Sequence, residues 1–509
     1  MDNLHNSLQT RSVSRCYWHT LCGLFPLLVF YLACQLVDGT VEFYTRVNGL
    51  APVYLMLALL LPAYHLMRIN PETIWSPAFW LPVSSAVFYG FGPLVSVYGN
   101  YTTKTMMAFT NVAAAPADVF RANMLSTVGI FGLLIGFWLH TRLRAPLWRH
   151  FPVQDAPARG VRLIPLAAVF IGVGAFFRYA VMKPVAWGSS SMTIPGVITT
   201  LSPLVDLGFA LLALSLAHRR SAKILYFFWL TWPLHLYLCA LSLSKAEIIL
   251  AIMLPTLAAY LGHRNRRRFG LSFLIMLLVF VIAQPWIHYG RAKIYAKTGT
   301  ITQAGYLERT ELLVQYLAGD ESVSARGDDY QGWWTRLNYS EVQAYAMQAY
   351  DRGAAGSSLK DAWMLFIPRF VWQNKPIIVG PGKAFHGLVN NRREGGSFLA
   401  LSVYGDLYWQ FGWLGVVAIS PLIGWLFAML AWRSIAIMRQ RNFLMLPLVV
   451  IALQAALLGM NKYLFNGIIA VVPIYYAYLL VIRLMLQFLG RRRKRAFQNT
   501  TGQRLGSSL

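Results

Sequence analysis

Twelve stretches of the chain are apolar for long enough to cross a bilayer, and the polar residues collect in the gaps between them. They run over 20–37, 49–67, 78–98, 123–141, 161–182, 194–217, 224–241, 246–262, 269–287, 411–432, 443–460 and 467–487. In hydrocarbon a stretch of ~20 apolar residues takes the helical form, because only a ladder within the segment satisfies every backbone N–H and C=O. The pattern predicts an all-α polytopic membrane protein with about 12 transmembrane helices. The 78–98 run carries Pro82, Gly90, Gly92 and Pro93, so a kinked or re-entrant element is expected there. The runs 224–241 and 246–262 are parted by a few residues around Lys245, which predicts a tight hairpin or one broken element.

Between the ninth and tenth runs the pattern changes, and residues 288–410 form one large polar loop. The chain thus divides into 1–287, an N-terminus with nine spans; 288–410, the loop; 411–487, three further spans; and 488–509, a basic tail. A loop of that length calls for structure of its own and is commonly functional. Its apolar spacing predicts helices at 303–318, at 339–351 with Ser340 as a cap, and at 358–367. No strand-like alternation is present.

Composition adds the exclusions. Of the 509 residues 57% are hydrophobic and only 13% charged, whereas soluble domains run near ~25% charged. The net charge of +26 would suggest nucleic acid in a soluble chain, but here the basic residues orient a membrane protein. With the N-terminus inside, Arg68, the arginines of 142–162, Arg219, Arg220, Lys223, the four of 264–268, Arg433, Arg439, Arg441 and the tail all lie on the inner side. The short outer connections hold only Arg46, Lys104, Arg121, Arg178, Lys183, Lys245 and Lys462. Both termini are therefore expected in the cytoplasm and the 288–410 loop outside. The first run lacks a small-x-small cleavage pattern and reads as a retained span. Cys16, Cys22, Cys34 and Cys239 have no metal spacing and predict neither a disulfide nor a zinc site.

The loop holds 11 of the 19 acids and 13 of the 45 basic residues, so its charges call for more than topology. Its most specific segment is Ile367-Pro368-Arg369-Phe370-Val371-Trp372-Gln373-Asn374-Lys375-Pro376. Two cations beside prolines, with aromatics between, suit either an interfacial anchor or an anion site at the membrane surface. This segment, the Arg369-to-Gly380 spacing and the later Ser397…Gly405-Asp406-Leu407-Tyr408…Phe411-Gly412…Gly424 resemble the O-antigen polymerase (Wzy-type) family. The resemblance covers about Arg336 to Gly424, and Asp406 stands where that family usually carries Glu.

The resemblance implies a metal-independent, cofactor-free glycosyltransferase of the bacterial inner membrane. It would join undecaprenyl-diphosphate-linked oligosaccharide repeat units into O-antigen or exopolysaccharide, with inversion and loss of the lipid diphosphate. Lipid-linked glycans, the bilayer and a chain-length regulator are the implied partners, and nucleic acid is not one. Such a reaction calls for cations at the leaving diphosphate and a base for the acceptor hydroxyl. The diphosphate candidates are Arg291, Arg336, Arg369 and Lys375, with Arg392 and Arg393 as further cations that also suit a solvated flap. For the base, Asp406 and His386 compete: Asp406 as a partly buried acid directly before the tenth span, His386 as a residue of a glycine-flanked loop. Asp206 is the one acid deep in a span, and Arg178 or His235 is its expected partner in a structural ion pair. An O-antigen ligase-type transferase and a lipid-linked oligosaccharide flippase are the rival functions.

Overall fold

The computed structural model describes residues 2–144, 163–188, 201–218, 221–263, 265–299, 303–319, 331–357, 359–367, 371–376, 380–390, 399–480 and 482–483. Among them every regular element is helical. Nine helices are long and apolar enough to cross a membrane: α1 (Ser12–Gln35), α2 (Val41–Ile69), α3 (Pro77–Tyr98), α4 (Pro116–Leu143), α5 (Leu163–Ala186), α7 (Ala222–Leu241), α8 (Lys245–His263), α9 (Arg267–Thr298) and α13 (Val403–Arg439). Three shorter apolar helices, α6 (Leu204–His218), α14 (Phe443–Leu458) and α15 (Gly467–Leu480), fall on the remaining apolar runs. The loop contributes α10 (Tyr306–Leu317), α11 (Ser340–Asp351) and α12 (Pro381–Asn390).

The expected kink in the third run is a continuous helical element with a π turn at Ala86–Phe91 and a 3₁₀ turn at Gly92–Leu94. It is the most deeply buried of the nine: 89% of its apolar stretch is buried, against 22% in α5 and α9. Gly92 lets the loop lie directly on it, since a Cβ there would stand 2.0 Å from the Leu337 carbonyl oxygen. The 224–246 region resolves as a hairpin, in which Leu243 takes a left-handed φ of 52°.

Several boundaries differ from the hydropathy reading, two of them where spans meet the loop. Helix α9 continues beyond 287 to Thr298, where Gly299 closes it with a left-handed φ of 69°. Helix α13 begins at Val403, well before 411, with the Ser402 hydroxyl accepting from Gly405 N–H. Polar residues such as Arg291 and Asp406 interrupt the apolar count without interrupting the backbone ladder. Within the loop, Ser340 does not cap α11. Tyr339 stands at the cap, and the Ser340 hydroxyl instead donates to Asn123 Oδ1 at 2.7 Å. The 358–367 stretch is a 3₁₀ turn, Ala362–Phe366.

The most intimate seam joins α4 to α13. A Cβ on Gly136 would lie 1.8 Å from the Pro421 carbonyl oxygen, and one on Gly424 1.8 Å from that of Leu133. The two backbones touch because both glycines lack side chains, the small-residue contact by which helices associate in lipid. Around this seam pack α1, α2, α3 and α14, while α5, α6, α7 and α8 form a second group against which α9 lies.

The ends of the bundle sort by connection. The loop reaches the connections that the charge pattern sets on its own side: Arg121 pairs with Asp351 at 3.2 Å, Asn111 Nδ2 donates to Asn390 Oδ1, and the Tyr306 hydroxyl donates to the Tyr179 carbonyl. Asn100 N–H donates to Gln331 Oε1, and the Tyr463 hydroxyl donates to the Leu399 carbonyl. At the other end Glu72, after α2, faces Arg439 at the close of α13.

Candidate functional site

Two clusters of charge lie side by side at the loop end, and both begin from α8. The first is closed. Asp206, wholly buried in the first turn of α6, receives Arg178 of α5 at 3.0 Å and His235 of α7 at 2.8 Å. Both expected partners are therefore present. The other imidazole nitrogen of His235 meets the Tyr179 hydroxyl at 2.8 Å, so a neutral ring satisfies both neighbours. Glu247 of α8 takes Lys183 at 2.6 Å and lies 3.9 Å from Arg178. Two cations thus meet two carboxylates. Asp206, His235 and Cys239 also present donor atoms within 4.8 Å of one another, but the Arg178 guanidinium already supplies the positive charge that such a trio would attract.

The second cluster is open. Lys245, the first residue of α8, comes within electrostatic range of both Arg291 and Arg336. Arg291 lies one turn beyond the end of the expected ninth span, on the continuing helix α9, which packs closely against the α7–α8 turn. A Cβ on Gly290 would meet the Leu243 side chain at 2.7 Å, and Arg291 Nη2 donates to the Leu243 carbonyl at 2.7 Å. Arg336 ends the short helix Gly332–Thr335, which packs on α9. Next to that helix stand Phe91, Trp333 and Trp334, stacked on one another, with the Trp334 indole N–H donating to the Phe91 carbonyl. Lys245 lies 5.1 Å from the Phe280 ring centroid. Arg291 and Arg336 are exposed and Lys245 half-buried.

Among the described residues no carboxylate forms an ion pair with Lys245, Arg291 or Arg336. A fourth cation, Arg309, stands near Arg291 but is buried under Trp187, where its guanidinium donates to the Ala304 and Leu241 carbonyls. Burial pulls its pKa down to about 10. Two like charges ~8 Å apart repel by ~2 kcal/mol at an effective dielectric of ~20. Three together favour an anion between them, and guanidinium groups suit phosphate oxygens bidentately.

The remaining sequence candidates are dispersed. Arg369, Arg392 and Arg393 lie outside the described residues. Lys375 donates to the Ile367 carbonyl at 3.0 Å, folding its segment back on itself beneath the stacked pair Trp363 and Trp372. His386 is on helix α12 and not on a loop; its Nε2 meets Asn390 Nδ2 at 3.0 Å. Asp406 is wholly rather than partly buried. Its oxygens accept from Gln410 Nε2 at 2.7 Å and from Leu464 N–H at 2.9 Å, which ties the start of α13 to the α14–α15 turn. The family-like residues around it are architectural: the Tyr408 hydroxyl donates to Asp351, and Gly412 breaks the helix axis at φ 62° against Tyr350.

Two residues with functional promise escaped the sequence reading. Lys245 was counted only as an outer charge, although it alone stands at the start of a span in a connection too short to hold an acid partner. Glu341 was read only as part of a helix. It lines a cavity of about 410 Å³ at the loop end, between the start of α2, the end of α3 and the 104–119 connection.

In comparisons with known proteins, no family model, no curated protein and no solved structure matches this chain.

Proposed function

We propose that this chain is a membrane-embedded inverting glycosyltransferase. It polymerises undecaprenyl-diphosphate-linked oligosaccharide repeat units into O-antigen or exopolysaccharide at the periplasmic face of the bacterial inner membrane. The observation that carries this reading is the Lys245, Arg291 and Arg336 cluster, which has no carboxylate partner among the described residues. The resemblance of the segment from Arg336 to Gly424 to the O-antigen polymerase family supports it independently. In this reading all twelve apolar elements span the bilayer, both termini are cytoplasmic and the 288–410 loop is periplasmic. The cation cluster then lies at headgroup depth, where the diphosphate of a lipid carrier lies.

The chemistry follows from the charge. The acceptor sugar's hydroxyl oxygen attacks C1 of the donor chain's first sugar from the face opposite the diphosphate. The C1–O bond to phosphate breaks, its electron pair leaves with undecaprenyl diphosphate, and the hydroxyl proton passes to a base. Negative charge grows on the bridging oxygen, and cations held in place beforehand stabilise it without reorganising. Asp406, sealed from the loop surface by Gln410 and Leu464, serves in this scheme to position α13.

The test is chain extension in cells. Arg291→Ala and Arg336→Ala, each at normal protein level, should lose long polymer and accumulate lipid-linked single repeats. Undiminished long chains in both variants would remove the diphosphate role. Reporter fusions at Asp329 and at the C-terminal tail should give opposite signals if the topology is as stated.

A further inference from the structure

The cavity beside Glu341 has a chemistry unlike that of the cation cluster. Its polar lining is almost entirely acceptors. The Thr45 hydroxyl donates inward to the Val41 carbonyl and the Ser96 hydroxyl to the Pro93 carbonyl, so each turns its lone pairs outward. Asn48 donates one amide hydrogen to the Pro116 carbonyl, and its oxygen accepts from Asn123. Glu341 adds a carboxylate with no hydrogen bond to any described residue. Among the described residues Lys104 and Glu341 are the only ionisable groups lining the space, and they are not ion-paired with each other. The remaining wall is small and apolar, chiefly Ala113, Ala114, Ala115 and Met107.

A ligand that satisfies such a lining must bring donors, must carry no phosphate to repel the carboxylate, and needs an apolar face. A sugar ring answers all three: hydroxyl donors around the edge and C–H groups on the faces. The volume, about 410 Å³, lies within the ~300–1,000 Å³ of small-molecule sites. The 104–119 connection that roofs the cavity is held to α12 by the Asn111–Asn390 hydrogen bond, so loop and bundle share the site. Glu341 also lies on the helix that follows Arg336 directly, which puts the cavity beside the cation cluster in the chain.

We propose that this cavity binds a sugar of the acceptor glycan, with the Glu341 carboxylate accepting the hydrogen bond of one sugar hydroxyl. The proposal rests on the glycosyltransferase reading and adds to it the separate place where the uncharged part of the substrate sits. It also explains why Glu341 stays without a partner among the described residues. Burial pushes its carboxyl up to about 7, against ~4.3 for an exposed glutamate. Only a ligand hydroxyl compensates the buried charge, so glycan binding strengthens as pH rises through about 7.

The experiment uses the whole protein in lipid nanodiscs and dicyclohexylcarbodiimide, which modifies protonated buried carboxyls, with the modified residue located by mass spectrometry. Glu341 should be labelled at pH 6 and lose labelling as pH rises through 7. Oligosaccharide released by mild acid from the producing cells' own lipid-linked pool should slow that labelling saturably, and undecaprenyl diphosphate should not. Thr45→Val, which keeps the volume and removes one acceptor, should weaken the protection about fivefold, the equivalent of one hydrogen bond of ~1 kcal/mol. Labelling that the oligosaccharide leaves unchanged would overturn the cavity assignment, and so would protection by undecaprenyl diphosphate alone. Retention of undecaprenyl diphosphate by the same nanodiscs is scored separately. Protein that retains it but shows no glycan protection loses only the cavity proposal. Protein that fails to retain it loses the glycosyltransferase reading itself.

Discussion

The two charge clusters at the loop end share helix α8, and residues two apart on it fall into opposite circumstances. Glu247 closes a group in which Arg178, Lys183 and Asp206 complete a balanced set, with His235 bonded to both Asp206 and Tyr179. Lys245 opens a group of three cations to which no acid among the described residues answers. Burying a charge is costly unless it is paired, and breaking a buried pair costs more than replacing it. The closed cluster therefore belongs to the fold. The open one costs the fold stability, through repulsion that a bound anion would relieve. Charge in a membrane protein points to function where it is unanswered, and to architecture where it is answered.

The strongest way to break this comparison is at Asp206. Asp206→Ala leaves Arg178 buried without its nearest carboxylate and should destabilise the protein by about 3–5 kcal/mol. Thermal unfolding in detergent reads this, and the double change Arg178→Met with Asp206→Leu should recover most of the loss. If the single variant melts as the wild type does, the cluster is not structural. A middle-sized effect is expected at Asp406. Asp406→Ala strands the Leu464 N–H and the Gln410 amide and should cost about 1–3 kcal/mol, whereas Asp406→Asn keeps an acceptor and should lose less. A well-folded, inactive Asp406→Asn would restore this residue as the acceptor's base.

Arg291→Ala and Arg336→Ala should do the reverse of Asp206→Ala. Each should weaken retention of undecaprenyl diphosphate by about 10- to 100-fold, the worth of a charge-assisted hydrogen bond at ~1.5–3 kcal/mol. Neither should lower the melting temperature. The smallest effect belongs to Lys245→Met, which removes one repelling charge while keeping the packing. A gain of up to about 1 kcal/mol in stability is expected, together with a weaker salt dependence of diphosphate binding. A loss of stability there would mean that Lys245 is answered by a partner after all.

Much of this was legible in the sequence because hydrocarbon leaves the backbone so few options. Among the described residues every apolar run carries a helix. Asp206 found Arg178 and His235 because an acid at that depth must be answered by something within a neighbouring span. What hydropathy missed were the places where a helix carries polar residues beyond the bilayer. The stretch after 287 and the turns before 411 continue as helix because their ladders close regardless of side chain, and this placed Asp406 inside a buried turn. The open cluster was half legible: Arg291 and Arg336 stood out by motif and position, but Lys245 acquires its meaning from two residues far along the chain. Glu341 was illegible for the same reason, since Thr45, Ser96 and Lys104 come to it only through tertiary packing.

The seam between α4 and α13 has a mechanical consequence. Where Gly136 meets the Pro421 carbonyl and Gly424 that of Leu133, two backbones touch with no side chain between them to bend or rotate. Such a contact cannot slide or widen gradually; it holds or it parts along its whole length. The α4–α13 pair is therefore a rigid seam, and relative movement of the helices is left to other contacts, such as those between this half and the α5–α9 group. Lys245 and Arg291 lie in the second group, at the start of α8 and near the end of α9, so any shift between the two groups would change the spacing of these charges relative to the seam.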